Sequence, residues 1–187
     1  MDILAAFGLS ASAGLNAYIP LLTVSLLAKF TPLIELAEPW NALESGWIIG
    51  LLVVLSLVEF FADKIPAVNH INDIIQTIIR PAAGAILFAA SANVVTEIHP
   101  VLSIAAGLLI AGSVHVVKSA AVRPAVTATT GGAANVPVSI LEDVVSTILS
   151  VLSVVLPVLV GIVLVLLAVW IIWRLVARSR QKRNQVE

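Results

Sequence analysis

Cysteine is absent from this chain, which excludes disulfides and thiolate-held metal sites. Charge is nearly as scarce. Asp, Glu, Lys and Arg make up 11% of the 187 residues, against about 25% in a soluble domain. Hydrophobic residues make up 60%, and mean hydropathy is +1.09. A soluble enzyme is excluded, and an integral membrane protein remains. No basic excess is present, since the net charge is −1, so a nucleic-acid partner is not expected. The catalytic signatures H-E-x-x-H, G-x-S-x-G and a glycine-rich phosphate loop with lysine are all missing. His70, His99 and His115 lie in different segments without metal-ligand spacing. Neither a cofactor nor a metal is expected, and nothing supports an enzyme. The start, Met1-Asp2, lacks the basic residues of a signal peptide, so Ala11-Ser12-Ala13 is not expected to be a cleavage site.

What the chain does have is long uncharged runs. Residues 3–28 carry no charge and would span about 39 Å as a helix, against a bilayer core of about 30 Å. Their middle, from Ser10 through Gly14, Asn16 and Tyr18 to Pro20, is small, polar and proline-broken. A second run of this kind passes from Thr127 through Thr130, Gly131, Gly132 and Asn135 to Pro137. Irregular backbone at membrane depth is tolerated only inside protein or beside a wet cavity. Both runs are therefore expected to break helices and to meet at the bundle centre, marking a site.

Charges cut the chain into uncharged or nearly uncharged stretches at 3–28, 47–62, 81–96, 101–117, 124–141 and 144–173. The fold class expected is an all-α bundle of about six transmembrane segments, with two interrupted helices and one interfacial amphipathic helix. Residues 1–175 form the bundle, and 176–187 a basic tail. By the positive-inside rule the tail, with Arg174, Arg178, Arg180, Lys182 and Arg183, lies in the cytoplasm. The acidic connection 30–46 lies outside. Six spans put both termini inside, with Lys64, Arg80, Lys118 and Arg123, and leave Glu97, Glu142 and Asp143 outside. The segment 124–141 either spans or is re-entrant. The location expected is the inner (plasma) membrane.

The segment 66–80 reads as an amphipathic helix. Ile65, Val68, Ile71, Ile75 and Ile78 or Ile79 form one stripe, and Asn69, Asp73, Gln76 and Arg80 the opposite face. It either lies on the membrane surface or closes a cavity mouth with its polar side. Asn16, Asn93 and Asn135 recur at similar places in three small-residue stretches, as helix-contact residues or as a polar layer around a pathway. Glu59 follows twelve uncharged residues from Trp47, and Asp63 sits one turn on. Such a pair calls for a cation, for which Lys64 and Arg80 are candidates, with His115 near. Glu142 and Asp143 either cap the last helix or extend into the polar strip Ser146, Thr147, Ser150 and Ser153.

The runs Gly14–Pro20, Glu59–Pro66, Arg80-Pro81-x-x-Gly84 and Thr127–Gly132, followed by Glu142-Asp143, together resemble a family of small bacterial membrane proteins catalogued as domain of unknown function 4126. The likeness covers almost the whole chain. It implies a membrane bundle and supports the choice of Asn16, Tyr18, Glu59, Asp63, Arg80, Asn93, Thr130, Asn135, Glu142 and Asp143 as pathway candidates, but it implies no activity.

Three functions compete. A small permease or channel would move a solute or ion through a polar site between the breaks. A structural or partner-binding subunit would use the small-residue runs as helix contacts. A lipid-handling enzyme or flippase would open sideways to lipid. The first is favoured. The partners it implies are the lipid bilayer, a small solute or cation, and a second copy in a homo-oligomer.

Overall fold

The computed structural model describes residues 3–92 and 98–183. Its elements are helices: α1 (Ile3–Leu15), α2 (Tyr18–Phe30), α3 (Gly46–Ala62), α4 (Pro66–Ala92), α5 (Pro100–Val117), α6 (Arg123–Thr130), α7 (Asn135–Val155) and α8 (Pro157–Arg183). A π-helical turn, Lys118–Val122, joins α5 to α6 without a break, and a short 3-10 turn, Trp40–Glu44, precedes α3. Four stretches are long and apolar enough to cross a membrane: Ile71–Ser91, Pro100–Thr130, Asn135–Val155 and Pro157–Arg174. Helices α1, α2 and α3 are apolar but shorter, at 13, 13 and 17 residues. At 1.5 Å per residue each falls short of about 30 Å.

Helix α1 is the centre of the bundle and touches α4, α5, α7 and α8. Its sequence explains this. Gly8, Ser10, Ala11, Ser12, Ala13 and Gly14 are all buried, and residues this small let backbones approach closely. A Cβ on Gly14 would lie 2.5 Å from the Ala111 carbonyl and the Val114 side chain. Gly84 of α4 and Gly107 of α5 meet in the same way, each against the other's backbone. The face Leu9–Ala13 continues through Ala17 and then Leu21 and Val24 of α2 into a core shared with Leu52, Ala83, Leu87 and Ala111.

Contacts along α1 fix directions. Phe7 packs edge-on against Phe88, and Ser10 donates to the Gly84 carbonyl at 3.0 Å, so α1 and α4 are antiparallel. Ser12 meets Ser146 and Ser150, while Gly8 faces Ser153, so α1 and α7 are antiparallel. Leu4 lies on Gly161, near the start of α8. The beginning of α1 is thus at the Pro157 end of α8, and the basic end of α8 is far away.

Of three expectations, two change. Regular helix stops at Leu15 and resumes at Tyr18. Pro20 is buried inside the first turn of α2, where its missing N–H costs nothing. The second run is no buried break. Gly131 and Gly132 take positive φ, 61° and 89°, and end α6 in the left-handed C-terminal geometry that glycine permits. Gly131 has no atom near its absent side chain, and Pro137 is exposed in the first turn of α7. The run is an exposed turn away from α1. Nor is 66–80 a separate helix, because α4 continues through Pro81 to Ala92. Its polar side, with Gln76 and Arg80, is buried, and Ile71, Ile75 and Ile78 are exposed. That inversion suits a lipid solvent.

Candidate functional site

Every buried charge of the described residues collects around one point, where α3, α4, the π turn, α7 and the α1–α2 elbow converge. Glu59 and Asp63 stand four residues apart, on one face of α3 and its C-terminal cap. Arg80 of α4 reaches them through Nη2, at 2.9 Å from Glu59 Oε1 and 3.7 Å from Asp63 Oδ2. Its Nη1 lies 3.2 Å from His115 Nδ1. Arginine only donates, so His115 Nδ1 accepts and the imidazole carries its proton on Nε2. That N–H points to the Thr77 hydroxyl at 3.2 Å, which donates to the Asp73 carbonyl. His115 is therefore neutral in this arrangement.

Helix α5 would place Arg123 about 140° from Lys118 if it stayed α-helical for five more residues. The π turn changes this. The Arg123 N–H bonds the Lys118 carbonyl, five residues back, so the two side chains stack on one side. Both then reach the same two oxygens. Lys118 Nζ is 2.8 Å from Glu142 Oε2 and 3.8 Å from Asp63 Oδ2. Arg123 Nη2 is 3.3 Å from Glu142 Oε2 and 2.9 Å from Asp63 Oδ2. Lys118 also donates to the Leu15 carbonyl at 2.8 Å, satisfying an orphan group at the C-terminus of α1 and meeting the negative end of its dipole.

The elbow is held from the other side. Asn16 Oδ1 accepts from the N–H groups of Tyr18 and Ile19, so it caps α2. Its Nδ2 donates to Asp143 Oδ1 at 3.0 Å. Lys64 bridges to Asp143 Oδ2 at 3.1 Å and sits over the Phe60 ring. Arg123 also holds Asp73 at 3.0 Å, and Asn72 donates to Asp63 at 2.7 Å. Burial opposes the charge on Asp63. The Lys118, Arg123 and Arg80 charges and the Asn72 bond outweigh it and hold the carboxyl below its ordinary value.

Five carboxylates (Glu59, Asp63, Asp73, Glu142 and Asp143) are joined to four cations (Lys64, Arg80, Lys118 and Arg123). Among the described residues one negative charge is left over. Glu59 is the most buried carboxylate among the described residues, at 1% exposure, and Arg80 is at 0%. Glu59 Oε2, Gln76 Oε1 and Arg80 Nε are buried with no hydrogen-bond partner among the described residues. No group of three or more His, Asp or Glu there has the arrangement of a metal site.

A model of the family described as Domain of unknown function (DUF4126) matches residues 3–177. The chain belongs to that family. No match was found among curated proteins or solved structures. The family description gives no activity, so the network is the only guide to one.

Of the residues singled out in the sequence, Asn16, Glu59, Asp63, Arg80, Glu142 and Asp143 come together here. Tyr18 is half-buried nearby. Thr130 and Asn135 do not join. Thr130 is exposed and donates to the Val126 carbonyl, and Asn135 pairs with Thr127 at 3.1 Å. Asn135 is eight residues before Asp143, about 12 Å along α7, so Asn16 and Asn135 form no common layer. Asn93 lies outside the described residues. The side assigned to Glu142 and Asp143 is corrected. They cannot face the opposite side from Lys118 and Lys64 while bonded to them. Lys118, Arg123 and Asp73 were not singled out as site residues. The spacing of Lys118 and Arg123, alone between 101 and 141 and five residues apart, is the signal that carries them.

Proposed function

We propose that this chain is a small membrane permease whose buried network takes up a proton or a cation. The observation that carries the reading is the odd carboxylate, five acids against four bases, with Glu59 Oε2 buried and unpartnered. An uncompensated charge at membrane depth is expensive, and ionisable groups kept there are functional candidates by default. A proton or a cation neutralises the excess. Glu59 is its natural seat, with Gln76 Oε1 as a second free oxygen on the neighbouring helix.

The basic tail places the end of α8 in the cytoplasm, and the acidic connection 31–45 belongs outside. The start of α1 then lies outside as well, in place of the expected cytoplasmic N-terminus. Helices α1 and α2 become two arms of a re-entrant V whose tip, Asn16, dips to the network. Half-helix ends directed at a buried charged site are a recurring transporter device. A structural subunit is the second reading, favoured by the dry contacts of Gly14, Gly84 and Gly107.

The test is flux in vesicles measured beside thermal stability. Glu59→Gln should abolish proton- or cation-coupled flux and leave the protein folded. Lower stability with unchanged flux per folded molecule would reject transport and leave the structural reading.

A further inference from the structure

We infer that the substrate of this site is a lipophilic cation that enters sideways, through a cleft between α5, α7 and α8. The inference rests on the permease reading and names its substrate class. The cleft has a volume of about 570 Å³ and is walled by Val114, Val117, Leu141, Val145, Leu164 and Ile171, with Leu15 at its head. That volume is in the range of small-molecule sites. Leu141, Val145 and Ile171 are part-exposed, so the cleft opens onto the apolar belt of the bundle. Two charged residues reach its wall, Lys118 and Glu142. An apolar slot that ends on charge suits an amphiphile.

The sign of the amphiphile's charge follows from which charged group has capacity to spare. Lys118 has three N–H donors. Two bond the Leu15 carbonyl and Glu142, at 2.8 Å each, and Asp63 stands 3.8 Å away as a further anionic neighbour, so acids of the network already claim the ammonium. Glu142 is different. Lys118 and Arg123 both approach it through Oε2, and among the described residues no ion pair or hydrogen bond engages Oε1. Asp63 lies behind the same two cations, at 3.8 and 2.9 Å. Among the described residues the network is one cation short. A cation in the cleft would meet Glu142 Oε1 and supply the missing charge, while its apolar body replaced lipid against the valine and leucine walls. An anion would add to the excess.

The probes are tetraphenylphosphonium and tetraphenylborate, two ions of the same shape and opposite charge, with the full chain purified in detergent and binding measured by equilibrium dialysis. One saturable phosphonium site per chain is expected, with no matching borate site. Glu142→Gln should weaken the phosphonium at least tenfold, and Glu142→Asp, which keeps the charge, should stay near wild type. Val145→Trp, which fills the cleft and leaves the network alone, should remove binding. Equal binding of the two ions, or wild-type affinity in Glu142→Gln, would overturn the inference and mark the cleft as a seat for hydrocarbon chains alone. Absence of a phosphonium site in the wild-type chain, with Glu59-dependent proton flux intact, would reject the substrate class and keep the permease. Loss of that flux as well would reject both.

Discussion

Arg80→Met should be among the most damaging single changes in this protein, and Glu59→Gln should repair much of it. Arg80 is fully buried and is the one cation bonded to Glu59 among the described residues. Methionine keeps most of the stem volume and removes the guanidinium. Glu59 is then a buried carboxylate without a partner. Breaking a buried pair from one side costs roughly 3–5 kcal/mol. For a chain of this size each kcal/mol moves Tm by about 2–4 °C, so Tm should fall by roughly 6–20 °C. In Arg80→Met/Glu59→Gln no charge is stranded, and replacing a buried pair as a whole is often close to neutral. His115 Nδ1 still loses its donor, a residual cost of about 1–3 kcal/mol. The double variant should therefore regain about half of the loss. The assay is thermal melting in detergent, followed by tryptophan fluorescence and arranged as a double-mutant cycle. A double variant no more stable than Arg80→Met would refute the pairing as the source of the effect.

Acid should act through Asp63. Its carboxyl titrates below its ordinary value in the folded protein, so its contribution is complete above the unfolded pKa of about 4 and disappears as pH falls through the folded value. Melting temperature should drop below about pH 4, and Asp63→Asn should start lower at neutral pH and drop less; a parallel acid limb in the variant would contradict this. Gly84→Ala places a methyl on Ala111 and the Gly107 carbonyl and should cost about 1–3 kcal/mol by overpacking. Gly50→Ala meets nothing within 4 Å and should raise stability by roughly 0.5–1 kcal/mol in denaturation, since alanine favours helix. Inserting one alanine after Ala120 should carry Arg123 about 100° further around the helix, off Asp63 and Glu142, and lower Tm; an unchanged Tm would remove the spacing set by the π turn from the network's design.

The class of the molecule was legible because composition alone decides it, and so was the Glu59–Asp63–Arg80 association. Glu59 and Asp63 share a helix face after twelve uncharged residues, and Arg80 is the next arginine along the chain. What the sequence hid has local physical causes. Residues 124–141 are uncharged for long enough to span, so Glu142 and Asp143 fell on the far side. Two positive-φ glycines make a turn there and return the chain to the side it came from. Lys118 and Arg123 are 55 and 60 residues from Asp63, and in a regular helix they would point apart. Only the π turn, which periodicity does not announce, aligns them. The polar face of 66–80 was visible, but its inward direction depends on the solvent being lipid. The depth of Asn16 and the height of Asn135 are set by tertiary packing, so their similar neighbours in sequence misled.

Uptake of a proton or cation at Glu59 is tested most directly by counting protons. Purified wild type and Glu59→Gln, both in detergent and both shown to be folded, are titrated from about pH 8 to about pH 5, with the unfolded chain as reference for ordinary carboxylates. Wild type should take up one proton more than Glu59→Gln, and excess lipophilic cation should suppress that uptake. Identical proton counts in the two folded proteins, unaffected by the cation, would contradict a titrating, exchangeable charge at Glu59 and leave the network as an anchor between helices.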